Sequence, residues 1–183
     1  RERRKIFDLY IDSFSFDDID SIKKGDFIVT LNMDHLRNAR KSVDFAEDLK
    51  KADWIIADGI SIVCLARILY KGSDFASKIH KIPGIDLANQ LISKSKKIAF
   101  LGSSQKNIQK LENIFSEKLV FAHHGYFLEA QEEKIIEEIK NSDADLLLVG
   151  MGCPKQETFL ARHAKTLATI TKIGVGGAFD IWS

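Results

Sequence analysis

The chain has little of what punctuates or staples a small fold. Only 2 prolines and 2 cysteines occur among its 183 residues. The cysteines, Cys64 and Cys153, lack metal-ligand spacing and read as reduced thiols of a cytosolic protein, not as a disulfide framework. An excess of one charge is missing as well. The 27 Lys and Arg set against 26 Asp and Glu leave a formal net charge of +1, so no global field marks a nucleic-acid binder. There is no run of about 18 apolar residues and no secretory signal pattern, so the chain is expected neither to cross a membrane nor to be exported. Internal repeats and low-complexity linkers are absent too. What remains is a globular composition, 45% hydrophobic and 29% charged, of a length that suits one domain with a substantial core.

Apolar runs alternate with helical patterns from end to end. Strands are expected at Asp26–Asn32, Asp53–Gly59, Lys97–Gly102, Leu119–Ala122, Leu146–Val149 and Thr169–Val175. Helical patterns run through Leu36–Leu49, Ile60–Tyr70, Ile85–Ser93, a segment ending at Phe115 and capped by Ser103 or Ser104, Glu129–Lys140, and Lys155 to about Lys165. Ile60–Tyr70 is apolar nearly all round and reads as a buried helix. Residues 1–25 are mixed, and Lys71–Ile82 reads as irregular and basic. Strands joined by helical crossovers make a parallel sheet with helices on both faces. The expected fold is therefore α/β and Rossmann-like, one domain over residues 1–183. Asn32, Asp58, Gly102, His123, Gly150 and Gly176 end strands and gather along one edge, where open α/β sheets bind ligands.

One stretch of that edge, Asp145–Glu157, combines a buried strand, a glycine turn and a helix start. Leu146 to Val149 is a continuous apolar run. Gly150 and Gly152 let the backbone turn where a Cβ would clash, and Pro154 suits the first helical position, where a missing N–H costs nothing. Free N–H groups and the positive end of a helix dipole then face the space above the sheet, a setting for phosphate.

Asp58 is the best candidate base: it follows an apolar strand and stands partly desolvated, which raises a carboxylate pKa. As an alternative, it caps the helix beginning at Ile60. Thr30 and Asn32 alternate to one face and either bond a substrate or simply end a strand. Cys153 near a helix N-terminus, with His123 or His124 as base, spells a nucleophilic pair that nothing in the sequence orders. Asp18-Ile-Asp20 matches the D-x-D of metal-dependent sugar transferases, but acidic residues opening a short helix look the same. Lys81 and Lys155 suit phosphate. Neither Gly150-Met-Gly152 nor Gly174-Val-Gly-Gly177 is the G-x-G-x-x-G of dinucleotide binders.

Taken in order, Thr30–Leu36 (TLNMDHL), Ala57–Ile60 (ADGI), Pro83–Leu87 (PGIDL), Phe100–Gly102 (FLG), His124–Phe127 (HGYF), Gly150–Glu157 (GMGCPKQE) and Gly174–Asp180 (GVGGAFD) resemble the WecG/TagA/CpsF glycosyltransferases, over nearly the whole chain from Asp26. Members of that family build bacterial surface polymers. They move a sugar from a UDP-sugar to a lipid-diphosphate-linked sugar, with inversion and without an essential metal or other cofactor. The TagA branch adds N-acetylmannosamine to undecaprenyl-diphosphate-linked N-acetylglucosamine in wall teichoic acid synthesis. The resemblance implies Asp58 as general base, with Thr30 as its catalytic neighbour. It implies substrate contacts by Asn32, Lys81, Gly102, Tyr126, Gly150, Gly152, Pro154, Gln156 and Glu157, and no metal ligand. Lys81 stands where the family often has arginine, which keeps the charge and loses bidentate reach.

The implied partners are a UDP-sugar donor and a polyprenyl-diphosphate-linked acceptor, with no nucleic acid. Family members continue past the Phe-Asp motif into a C-terminal segment, often basic, that closes the active site and meets the membrane. The sequence stops at Ser183. The expectation is a domain that binds nucleotide, transfers sugar poorly and lacks membrane affinity, while the full-length protein is cytoplasmic and peripheral on the inner face of the cell membrane. Self-association as a homo-oligomer stays open. So does the donor: UDP-N-acetylmannosamine, its uronic acid, or UDP-glucose or -galactose for capsule or exopolysaccharide. Two other readings are a non-catalytic nucleotide-sugar-binding subunit and a nucleotide-dependent oxidoreductase, the second disfavoured by the missing glycine fingerprint.

Overall fold

Short apolar runs flanked by helical patterns fold as that alternation requires. In the computed structural model, which describes residues 1–183, six strands form one sheet whose every pairing is parallel. The strands are β3 (Phe27–Leu31), β4 (Trp54–Ala57), β5 (Ile98–Gly102), β6 (Leu119–His123), β7 (Leu146–Gly150) and β8 (Thr171–Gly174), in the order β4-β3-β8-β7-β5-β6. They fall within, or one residue beyond, the expected runs. Pairing of β8 with both β3 and β7 joins the first and last parts of the chain at the middle of the sheet.

Side chains alternate between two cores. Phe27, Val29, Leu31, Ile55, Ala57, Leu147 and Val149 face one core. Ile28, Trp54, Ile56, Phe100, Leu146 and Leu148 face the other. The first core is covered by α1 (Met33–Lys41), α2 (Val43–Lys50), α3 (Ile60–Leu69), α7 (Glu129–Asn141) and α8 (Lys155–His163). The second is covered by α5 (Gly84–Lys94), α6 (Gln105–Ile114) and α9 (Ala178–Trp182). Each fully buried Leu, Ile or Phe here contributes about 1.5–3 kcal/mol. Thr30 and Asp58 share the parity of Ile28 and Ile56, so both project to the α5 side at the C-terminal end of their strands.

Several local features depart from the sequence reading. Residues 1–25 are not merely mixed. They hold an antiparallel hairpin, β1 (Arg3–Ile6) and β2 (Leu9–Asp12), and a 3-10 turn over Phe16–Ser21. Asp12, 1% exposed, binds the guanidinium groups of Arg1 and Arg3 and accepts the Ile55 N–H at 2.8 Å. Burial alone would raise its pKa, but the bonds from Arg3, Arg1 and Ile55 outweigh that and hold it below the ordinary carboxylate value. The helical segment through Leu36–Leu49 is two helices, because Ser42 ends α1 and caps α2 by accepting the Phe45 N–H. Lys71–Ile82 contains α4 (Asp74–Lys78), capped by Ser73. The α3 helix is not buried all round: Ile60, Ile68 and Leu69 are exposed. It covers the rim of one core with a single face, which hydropathy without periodicity conceals.

Candidate active site

The C-terminal ends of β3, β4, β7 and β8 meet around two adjoining pockets. The smaller, about 280 Å³, is lined on one side by Thr30, Asn32, His35 and Asp58 and on the other by Cys153, Gln156 and Gly174–Gly177. The larger, about 460 Å³, is lined by Ser103, Asn107, Tyr126, Gly150–Gly152, Lys155 and Asp180. Gly176 and Gly177 belong to both and form the shared wall.

Asp58 is held by its neighbours along the edge. Its N–H donates to Leu31 O at 2.9 Å, and Ile82 N–H donates to Ala57 O at 2.8 Å, which pulls the Pro83–Gly84 segment over the ends of β3 and β4. Gly84 N–H, at the start of α5, then donates to Asp58 Oδ1 at 2.8 Å. A Cβ on Gly84 would lie 3.1 Å from Thr30 Oγ1, a tight contact, and 3.5 Å from Asp58 Oδ2. Burial pushes the Asp58 pKa above its ordinary value. The Gly84 N–H and the charges of His35 and Lys81 pull it back in part, and Asp86 adds to the rise. The alternative role as a helix cap is excluded, since Gly59 caps α3 with no side-chain bond. A partly desolvated carboxylate with a raised pKa beside a buried hydroxyl is the equipment of general-base chemistry.

The opposite wall is made of backbone. Gly150 lies where a Cβ would come within 2.6 Å of Phe179 Cδ2 and 2.9 Å of Gly176 O. Gln156, 4% exposed, fastens the turns after β7 and β8 together, its Oε1 accepting the Gly152 and Gly176 N–H groups at 3.1 Å each. Those two N–H groups and the Gln156 carbonyl are therefore spent on each other. Gln156, expected among the substrate contacts, lines the smaller pocket while its Oε1 ties the two turns. At the far end of the larger pocket, Asp180 Oδ1 accepts from Ser103 Oγ at 3.1 Å and from Asn107 Nδ2 at 2.7 Å, three residues outside the expected site set.

Other expected site residues fall in varied places. Asn32 lines the smaller pocket, but its Oδ1 caps α1, accepting the Asp34 and His35 N–H groups, so the strand-ending reading holds for its oxygen. Gly102 is buried, and a Cβ on it would come within 2.3 Å of Gly150 O; it serves close packing of β5 on β7. Glu157, 2% exposed, sits behind the pocket wall with His35 Nε2 3.1 Å away. Pro154 is the residue before α8 and not its first, following a cis peptide at Cys153–Pro154. Lys81 is exposed and reaches Asp58 by its charge alone. Tyr126, 77% exposed, stands at the rim of the larger pocket beside Lys155.

The competing chemistries lose ground. Burial, and next the Glu157 charge, push the Cys153 thiol up to about 12, so the unliganded thiol keeps its proton at neutral pH despite the helix N-terminus. His123 and His124 bond to neighbouring backbone instead. Asp18 accepts from Ser15 N–H and Oγ, and Asp20 pairs with Lys94, so the D-x-D is the opening of a short helix. His35 is a further residue that sequence reasoning missed. Its signal was its place three residues after a capping Asn, where the side chain folds back into the loop.

Strand-end carboxylate and threonine on one wall and a P-K-Q-E turn on the other are the arrangement to set against known proteins. Residues 4–183 match the sequence profile of the glycosyl transferase WecG/TagA/CpsF family. The chain belongs to this family. Among curated WecG/TagA/CpsF-type relatives, the N-acetylglucosaminyldiphosphoundecaprenol N-acetyl-beta-D-mannosaminyltransferases of Staphylococcus aureus strains NCTC 8325 / PS 47 and COL are 27% identical over 164 residues, covering 86% of this chain and 63% of the relative. The corresponding protein of strain MRSA252 is 26% identical over the same length. The chain thus spans about 63% of the length of the curated relatives it matches.

Proposed function

We propose that this chain is the catalytic domain of an inverting transferase that moves N-acetylmannosamine from a UDP-sugar to the N-acetylglucosamine of a polyprenyl-diphosphate-linked acceptor, a step in teichoic-acid-type cell-surface polymer synthesis. One observation carries the reading. Asp58 and Thr30 face the glycine turns of β7 and β8 across a pocket that adjoins a larger, polar one. The printed activity of the curated relatives supports the donor sugar and the acceptor.

The larger pocket takes the nucleotide diphosphate, and the smaller takes the reacting hydroxyl and anomeric carbon. Asp58 removes the proton from the acceptor hydroxyl as its oxygen bonds to the anomeric carbon from the face opposite UDP. The bond to the diphosphate oxygen breaks, and UDP leaves with the electron pair. Thr30 orients the reacting sugars. Backbone N–H groups of the Gly150–Gly152 and Gly176–Gly177 turns other than those bound to Gln156, the α8 N-terminus and Lys155 offset the charge on the departing diphosphate. The reading includes transfer without a metal at the diphosphate; the aspartates of the D-x-D line neither pocket. No helix is long and apolar enough to cross a membrane; contact with the inner face of the cell membrane is proposed for sequence outside residues 1–183.

Calorimetry with UDP and with NAD, followed by transfer assays with lipid-linked acceptor and each UDP-sugar on a longer chain, tests the reading. UDP binding and N-acetylmannosamine transfer are expected. NAD binding without UDP binding would overturn it, and UDP binding without transfer by any donor would leave the binding-subunit alternative.

A further inference from the structure

Beside the smaller pocket, three metal-ligating side chains from distant parts of the sequence converge. His35 stands on the first turn of α1, Cys153 on the turn after β7, and Glu157 on the first turn of α8. One ligand atom from each lies within 4.8 Å of the others. The side chains of His35 and Glu157 are each 3% exposed, yet His35 Nε2 and Glu157 Oε2 have no hydrogen-bond partner. Nε2 lies 3.1 Å from Glu157 Oε1, but off the direction of a hydrogen bond.

Bonds on the far side of each group fix what it presents. Asn32 Oδ1 already accepts two backbone N–H groups, so an acceptor oxygen faces His35 Nδ1 at 2.8 Å. The Asn32 N–H also faces Nδ1, at 3.3 Å; in the neutral tautomer with its proton on Nδ1, Nε2 presents a lone pair. In that tautomer the lone pair and the Glu157 carboxylate are two acceptors that a cation between them satisfies. Gln156 Nε2 donates to Glu157 Oε1 at 2.6 Å and leaves Oε2 bare. Asn38 Nδ2 donates to Cys153 Sγ at 3.4 Å. Each of the three groups therefore has an outer partner that aims it, as metal ligands do. An imidazole, a thiolate and a carboxylate suit Zn²⁺ over Mg²⁺ or Mn²⁺, and their two negative charges balance the ion.

We propose that His35 Nε2, Cys153 Sγ and Glu157 Oε2 form a Zn²⁺ site, its fourth position turned to the pocket that His35 and Cys153 line together with Thr30 and Asp58. Binding breaks the Cys153 S–H bond, forms the S–Zn bond and releases the proton to solvent. The site is separate from the diphosphate chemistry and does not rest on the transfer reading. Sequence spacing could not reveal it, since the ligands lie on two motifs more than a hundred residues apart.

The test uses the reduced, metal-free chain carrying Cys64→Ala, which removes the exposed second thiol. Anaerobic Co²⁺ titration should give one ion per chain and a thiolate-to-cobalt charge-transfer absorption, both abolished by one equivalent of Zn²⁺. Cys153→Ala should remove that absorption and weaken Zn²⁺ binding by more than about a hundredfold, beyond the effect of an outer partner, whereas Asn38→Ala should weaken it about tenfold. Glu157→Gln keeps the oxygen that Gln156 binds and should show a loss like that of Cys153→Ala with the fold retained. His124→Gln, at the histidine pair outside the site, should change nothing. Zn²⁺ affinity no better than millimolar, Co²⁺ bound without a thiolate band, or undiminished binding in Cys153→Ala and Glu157→Gln would each overturn the site.

Discussion

The two walls of the ligand edge are built on opposite principles. At the ends of β3 and β4 the proposed reactive groups are side chains, Thr30 and Asp58, with Gly84 packed against both and its N–H on Asp58. At the ends of β7 and β8 the wall is backbone, shaped by glycines and tied by the carboxamide of Gln156. An isosteric change in the first wall can remove chemistry while leaving shape intact. In the second, a Cβ collides at Gly150 and at Gly174, so shape, stability and ligand affinity should fall together there.

The largest effect expected is from Asp58→Asn. Transfer should fall by about 10²–10⁴ with UDP affinity retained, the range a positioned base supplies; near-normal turnover would sink the assignment. The same variant should unfold at an equal or higher temperature at neutral pH. The folded-state pKa of Asp58 is raised above 3.8, so ionisation disfavours the fold, and that penalty appears as pH rises through the ordinary carboxylate range and past the raised value. Thermal melts across pH should show the advantage of Asn fading as pH falls.

Gly150→Ala tests the other wall. With a Cβ 2.6 Å from the Phe179 ring and 2.9 Å from Gly176 O, it should lose about 1–3 kcal/mol in denaturant unfolding, the range for overpacking, and UDP affinity with it. Full stability would mean that the two walls do not differ as described. Gln156→Ala leaves the Gly152 and Gly176 N–H groups unpaired at a cost of about 1–3 kcal/mol. It should weaken nucleotide binding while leaving the acid limb of the rate profile in place. That limb, in wild type, should lie above the ordinary Asp value of 3.8, because Asp58 must lose its proton to act, and a limb at or below that value would count against it. Lys155→Ala is expected to be mildest, up to about fivefold in UDP affinity and less at high salt, since an exposed ion pair is worth about 0–1 kcal/mol.

Much of this was legible in the residues. Strands buried on both faces need continuous apolar runs, so Leu146–Val149 and its counterparts announced themselves, and the polar or glycine residue after each run marked the edge. The hairpin of residues 3–12 was hidden because Arg1, Arg3 and Asp12 look like surface charge until they pair over the end of β4. Lys172 is another case. It reads as one polar residue in a strand, but its amine is buried and donates to Gly25, Leu167 and Ile170 carbonyls.

By itself, then, the sequence determined the α/β alternation and the edge where strand-end polar and glycine residues, Asp58 and Thr30 among them, gather, since periodicity and strand-end placement are local properties. Only the tertiary structure decided that Gln156 ties two glycine turns, that Gly102 packs closely on Gly150, and that His35, Cys153 and Glu157 share one point. Each of these depends on which atoms from distant segments come within hydrogen-bonding distance, and no spacing along a chain encodes that.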